Sequence, residues 1–229
     1  MASAPSHSAL PLVLSFNAGF VDTAGFLALQ GLFTAHVTGN FVTLGASLAL
    51  GTSGAIAKLL ALPVFCVVVI AARWLGTLLS HHSTHPFMPL LVIKVVLLSA
   101  GSAMAIRFGP FHDGDGWQAI VTGMVLVAAM AIQNAVHRVH LGSAPPSTLM
   151  TGTTTQVMLD IADTIYPREG GQAQTGRLVQ MTTNVVVFAA GCGAAALLFV
   201  RFGVWCFVVP PVVGVLSLVI RLIEQRKTD

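Results

Sequence analysis

Two Thr-Gly pairs in apolar surroundings, Thr38-Gly39 and Thr151-Gly152, carry the sharpest chemical meaning in this chain. Each stands just before, or within the first turn of, a short apolar segment. A helix that starts inside a bilayer leaves its first N–H groups unpaired and carries about half a positive charge there, so it attracts an anion or the carboxylate of a zwitterion. Thr38 and Asn40 suit the roles of cap or ligand at the first pair, and Thr151, Thr153, Thr154 and Gln156 at the second. The competing reading is that these side chains only satisfy a kinked backbone.

Asp22 lies in the middle of an apolar segment, where a carboxylate costs about 2.5–3.5 kcal/mol on insertion scales and needs a partner or a task. One reading makes it a proton- or cation-linked carboxylate, the other a neutral or salt-bridged packing residue. Lys94, a few residues inside another apolar segment, is the candidate counter-charge, although its long stem also suits snorkelling to the headgroups. His36, beside Val37-Thr38, belongs to a residue type that titrates near neutral pH and so suits a gate or proton relay; a structural role is the alternative. Gln133 and Asn134 bring neutral donors and acceptors, either to line a site or to bond neighbouring helices.

The elements that must position these residues follow from composition. Of 229 residues, 55% are hydrophobic and 8% charged, far from the roughly 25% charged of soluble domains. With a mean hydropathy of +0.84, the chain reads as an all-α, polytopic transmembrane helical bundle, which excludes a soluble enzyme and a nucleic-acid binder. The net charge of +3 comes from Lys and Arg beside apolar segments, the pattern of membrane-end anchors. No Lys or Arg precedes the first apolar run, so that run is expected to remain as a membrane helix. The apolar segments fall at about Leu10 to Phe33, Asn40 to Leu50, Ile56 to Leu79, Pro89 to Phe108, Trp117 to Val136, Leu149 to Ile161, Val179 to Val200 and Val204 to Ile223. Two are too short to cross: as helices they rise only about 17 Å and about 20 Å, against about 30 Å of hydrocarbon. They are the segments that follow the Thr-Gly pairs, and both are expected to be broken or re-entrant.

The order long, short, long, long occurs twice. AHVTGNFVTLGASLA (35–49) aligns with TLMTGTTTQVMLDIA (148–162), and FVDTA (20–24) with AIQNA (131–135), which sets Asp22 opposite Gln133. Residues 1–109 and 110–229 therefore read as two repeats, each of about three spans plus one short helix, in one integrated membrane domain. The stretch NAGFVDTAGFLALQGLFTAHVTGN, with QNAV and TLMTGTTTQ following in the second half, resembles the YoaK-like family of small bacterial inner-membrane proteins over essentially the whole chain. The resemblance implies an inner-membrane protein with about six spans, and supplies no activity.

Six spans with a cytoplasmic N-terminus put Arg73, Arg138, Arg168, Arg177, Arg221, Arg226 and Lys227 inside, and Lys58, Arg107 and Arg201 outside. In an eight-span arrangement Arg73 and Arg138 change places with Lys58 and Arg107, leaving the score unchanged. Helix length favours six spans, with the two halves opposed.

Other motifs read as structure. Cys66, Cys192 and Cys206 sit in apolar runs as small packing residues. His81, His82 and His85 read as a solvated loop, Asp113-Gly114-Asp115-Gly116 as a turn, and Asp160 and Asp163 as partners for Arg168 or Arg177. AAGCGAAA (189–196) reads as a close-packing helix face, and Trp74, Trp117 and Trp205 as interfacial anchors.

Neither HExxH nor GxSxG nor a facing aspartate pair is present, so an enzyme is not expected, and no cofactor or metal is implied. The expectation is an inner-membrane secondary transporter of a small anionic or zwitterionic solute, proton-coupled, with a midplane site at the two helix breaks. The alternative is a non-transporting membrane binding, sensor or scaffold protein. The implied partners are the lipid bilayer and the solute, with a homo-oligomer left open.

Overall fold

Apolar runs of this length fold as helices because each backbone N–H and C=O must find its partner within the same segment once water is gone. The computed structural model describes residues 9–80, 87–142, 144–148, 150–166 and 175–226. Their regular structure consists of α1 (Leu10–Ala28), α2 (Asn40–Leu50), α3 (Ala55–Ser80), α4 (Phe87–Phe108), α5 (Trp117–His140), α6 (Met150–Ile165), α7 (Thr175–Phe202) and α8 (Val209–Gln225). Short 3-10 turns occupy Val37–Gly39 and Gly203–Val208. His81, His82, His85, Arg168 and Lys227 lie outside the described residues.

Five helical stretches are long and apolar enough to cross a bilayer, and the last, Gly176–Gln225, spans 50 residues. It contains both α7 and α8, with Gly203 at φ 57° allowing the chain to turn between them. The helices α2 and α6 rise only about 17 Å and about 24 Å. The first apolar segment runs to Phe33, but the helix ends at Ala28. Gln30 and Gly31 both adopt positive φ, and the Gly31 N–H closes the end on the Phe26 carbonyl at 2.9 Å. Conversely, α6 runs on to Ile165, and its Asp160 is bound to Gln156 on one side and to Arg177 of α7 on the other.

Side-chain contacts fix the helix directions. Ser15, Gly19 and Thr23 of α1 meet Asn184, Phe188 and Cys192 of α7, each step advancing four residues on both helices, so α1 and α7 run the same way. Phe87 meets His140 and Phe108 meets Trp117, making α4 and α5 antiparallel. Arg221 lies over Phe87 and Gly214 lies against Val95, making α4 and α8 antiparallel too. Gln133 of α5 reaches the Leu14 carbonyl and Gly123 meets Leu29, so α1 opposes α5.

At the end of the bundle where α3 and α5 begin, the Asp115 carboxylate accepts N–H groups from Gly54, Ala55, Ile56 and Ala57, at 2.9, 3.2, 2.8 and 3.4 Å. It thereby caps α3 from 60 residues away in sequence. The expected turn at Asp113–Gly116 is present, with the Asp115 N–H donating to Asp113, and it has this second task as well.

Glycines on both helices bring α1 and α7 together. A Cβ on Gly19 would stand 2.3 Å from the Phe188 carbonyl oxygen, and one on Gly191 would stand 2.2 Å from that of Phe16. The two helices can approach this far only because both positions lack a side chain. Gly193, two residues on, faces open space, so the small-residue run packs through one stripe only. Gly191→Leu should therefore destabilise the protein by about 1–3 kcal/mol or more, while Gly193→Leu should be near neutral, as read by thermal denaturation in detergent. Equal stability of the two variants would remove the close-contact argument.

Candidate functional site

Between α1 and the 3-10 turn at Val37–Gly39 the chain turns back along α1, and side chains satisfy the backbone of residues 33–36. Oδ1 of Asp22 accepts the N–H groups of Thr34 and Ala35, both at 2.7 Å, and that of His36 at 3.4 Å. Oδ2 of Asp22 lies 2.7 Å from Nδ1 of His36. An ionised carboxylate only accepts, so in that state the ring nitrogen carries the proton of the bond. Asp22 is 4% exposed and Thr34 is fully buried. Asn40 holds the same segment from the other side: its Oδ1 accepts the Phe33 N–H and its Nδ2 donates to the Phe33 carbonyl, each at 2.8 Å.

Beside Asp22 and His36 lies a cavity of about 530 Å³. Its polar wall comprises Asp22, Thr23, His36 and Thr38, with the Gly39 backbone, and its apolar wall Phe26, Phe33, Phe188 and Cys192. The His36 ring meets Phe188 edge-on at 5.4 Å. The first Thr-Gly pair thus lines the same space as Asp22. It does so as a 3-10 turn leading into α2, and neither Thr38 nor Asn40 caps that helix by its side chain. The Asn40 amide is taken up by Phe33, which accounts for its burial without a ligand.

In the second half the chain before α6 is pinned in the corresponding place by different groups. Gln133 donates through Nε2 to the Leu14 carbonyl at 2.9 Å and to Ser147 Oγ at 3.2 Å. Asn134 accepts the Thr148 hydroxyl, and Asn184 of α7 donates to the Pro146 carbonyl at 3.0 Å while accepting from Ser15. Thr153 is buried, whereas Thr151 and Gly152 are exposed and a Cβ on Gly152 would meet nothing. The 530 Å³ cavity is lined by none of Gln133, Asn134, Thr151, Gly152 or Thr153. The two helix breaks therefore do not share it: the first belongs to the Asp22 space, and the second begins beyond the far end of α5.

Lys94 is not the partner of Asp22. It is fully buried on α4, and its Nζ has no hydrogen-bond partner among the described residues. The antiparallel register of α4 and α5 sets it level with Gln133, whose Oε1 is also without a partner. A buried amine left this way is costly, and the full burial of its stem removes snorkelling as its account. Asp160 meets Arg177 at 2.7 Å, one of the two partners expected for it. That guanidinium, together with Gln156, holds the Asp160 carboxyl below the usual carboxylate range.

Sequence reasoning missed Asn184, Ser147, Thr148 and Phe188. A lone Asn within the apolar run NVVVF was the available signal for the first. The others are ordinary residue types whose role depends on contacts across more than one helix.

An all-helical bundle with apolar spans, a buried carboxylate and irregular backbone pinned inside it defines an integral membrane protein. Within that class, the chain belongs to the family described as protein of unknown function (DUF1275), which it matches over residues 10–220. It is 29% identical over 216 residues to the UPF0700 transmembrane protein YoaK of Bacillus subtilis (strain 168), an alignment covering 90% of this chain and 91% of that protein. No solved structure matches it. The family resemblance drawn from the HVTGN and QNAV stretches is thereby borne out.

Replacing Asp22 by Ala leaves the Thr34 and Ala35 amides and the His36 ring without an acceptor in a buried place, at a cost of about 3–5 kcal/mol. Asp22→Asn keeps an oxygen for the two amides and should cost clearly less. Denaturation midpoints in detergent read the difference, and an Ala variant as stable as the Asn variant would contradict the pinning role.

Proposed function

We propose that the protein is a proton-linked secondary carrier of the cytoplasmic membrane, taking a small zwitterionic or amine-bearing solute with an apolar body. The observation that carries this reading is the Asp22–His36 contact at the wall of the 530 Å³ cavity. A carboxylate and an imidazole sharing a proton beside a solute-sized space provide the parts for coupling protonation to binding. Phe26, Phe33 and Phe188 suit an apolar body. A bare anion is the poorer match: Asp22 itself already takes the amides at 34–36 that an anion would use, and its charge opposes one.

The helix directions support an inverted repeat. Exchanging the halves turns the α1–α7 packing into α5–α3, α5–α4 into α1–α8, and α2–α3 into α6–α7, and each of these packings is present. The first half starts with α1 in one direction and the second with α5 in the other. On this reading α2 and α6 are re-entrant and the chain crosses six times. Arg73 and Arg138 then share the Arg177 and Arg221 end, opposite Lys58, Arg107 and Arg201, as the six-span charge pattern requires. Lys94 of the first half and Gln133 of the second lie at one level as a second polar station, away from Asp22.

A second reading, a non-transporting scaffold, draws on the backbone amides that occupy Asp22 Oδ1. Two experiments separate the readings. In the first, solutes retained by vesicles with and without the protein are compared without preselection at two external pH values. A carrier yields a pH-dependent difference that Asp22→Asn abolishes while the variant still inserts; no solute difference at either pH would favour the scaffold. In the second, single cysteines at Asp113 and Arg138 in a cysteine-free background are probed with an impermeant thiol reagent on intact cells. Labelling at 113 and protection at 138 is the expected result, and labelling of both would end the six-span arrangement.

A further inference from the structure

At the end of the bundle opposite Asp115, two arginines and a histidine from three helices converge. Arg73 of α3 and His140 of α5 line a cavity of about 180 Å³ whose walls are otherwise largely aliphatic, with Ala72, Leu90, Val136 and Val139 among them. Phe87 at the start of α4 joins the second guanidinium to them: its ring stands 5.2 Å from the His140 ring, and the Arg221 guanidinium lies 4.7 Å above it. His140 is within electrostatic range of both arginines. Like charges gathered in this way repel one another unless an anion answers them.

The carboxylate beside them is Glu224, whose Oε2 is 3.9 Å from Arg221. That separation is at the limit for an ion pair and leaves the Arg73 guanidinium unanswered by it. Nε of Arg221 is buried without a partner, and the Arg73 guanidinium makes no hydrogen bond among the described residues. The place therefore has donors to spare, positive charge to spare, and an apolar recess directly beneath them.

We infer that Arg73, His140 and Arg221 form a site for the phosphate of an anionic phospholipid, with the start of an acyl chain lying against Leu90, Val136 and Val139. Guanidinium groups match phosphate oxygens in geometry as well as charge. The aliphatic recess selects a phosphate that carries hydrocarbon over free phosphate. The excess of cations selects a headgroup without its own ammonium, so phosphatidylglycerol is preferred over phosphatidylcholine. This site is separate from the Asp22 cavity and stands whether or not the protein is a carrier.

The test uses the full chain, delipidated in mild detergent, with three probes: phosphatidylglycerol, phosphatidylcholine and inorganic phosphate. Phosphatidylglycerol should be retained in native mass spectra and raise the melting temperature by roughly 5 °C, with phosphatidylcholine giving little of either. Arg73→Gln with Arg221→Gln should reduce the phosphatidylglycerol response to the phosphatidylcholine level, and Arg73→Lys with Arg221→Lys should keep most of it. The lysine pair also separates loss of the site from loss of fold, and Arg73→Gln alone, at an exposed position, gives a folded single-site control in which retention should fall. Equal retention of the two lipids, or full retention by a folded Gln variant, would overturn the site. An equal shift by inorganic phosphate that displaces the lipid would overturn the phospholipid assignment.

Discussion

Inside a hydrocarbon layer an irregular stretch of backbone has no water to bond, so each such stretch depends on side chains that stand in for water. Residues 33–36 meet that requirement through Asp22 and Asn40; in residues 146–148 Asn184 takes the Pro146 carbonyl, while Gln133 and Asn134 hold the Ser147 and Thr148 side-chain hydroxyls. The rest of the bundle is arranged around these attachments. Each pinned stretch returns toward the interior after a long helix has run its length, and each leads into a helix too short to cross. Without them, the segments that follow α1 and α5 would have to extend into helix or leave for the interface, and neither α2 nor α6 would be held against its neighbour.

The two halves meet this one requirement with different electrostatics. Asp22 collects two strong backbone bonds and the His36 ring on one charged group, while the second half divides the work among neutral amides. Charge-assisted bonds are roughly twice as strong as neutral ones, so the first attachment is short and concentrated and the second is spread over three residues. The concentrated one leaves a carboxylate facing a cavity; the distributed one leaves a free amide oxygen on Gln133 at the level of the buried Lys94. The chain thus carries acid toward one end and base toward the middle. Such an imbalance has no value for packing alone, where neutral amides would serve in both places at lower desolvation cost.

Much of the helical plan was legible because it rests on local chemistry. Run length, the absence of charge and the position of Gly and Pro place the long helices within a few residues, and the shortness of α2 and α6 follows from rise per residue alone. The end of α1 was misplaced for a physical reason: Phe26 to Phe33 stays apolar, and hydropathy cannot see that Gln30 and Gly31 take positive φ. Asp22 and His36 were singled out by cost and residue type, yet their contact was not, since it depends on the chain turning back after α1. Asn40 reads as a ligand in sequence because its amide points nowhere obvious; in space Phe33 claims both ends of it. Asp115 reads as a turn residue for the same reason, its cap on α3 being a long-range event. Local signals give elements, and the assignment of polar groups to partners waits for the fold.

The seams between helices differ in a way that bears on which parts can move. The α1–α7 seam is closed by reciprocal glycine contacts to backbone oxygens, an arrangement that separates only by losing close contact along several turns. The parallel pair on the other side of the bundle, α3 and α5, has no equivalent glycine contact. Two cavities, of about 360 and about 180 Å³, lie along it, both bordered by Arg73, Ala135 and Val139. Cavities of about 530 and about 290 Å³ border α1 and α7 as well, so what sets α3–α5 apart is its lack of reciprocal glycine contacts, and displacement costs less there for that reason. Asn134 borders the larger of these cavities and also holds Thr148. A shift of α5 against α3 would therefore pull on the stretch before α6 while α1, α7 and the Asp22 attachment stay in place. The α1–α7 seam carries the acid and the α3–α5 seam borders the second break, each seam joining one helix from residues 1–109 to one from residues 110–229.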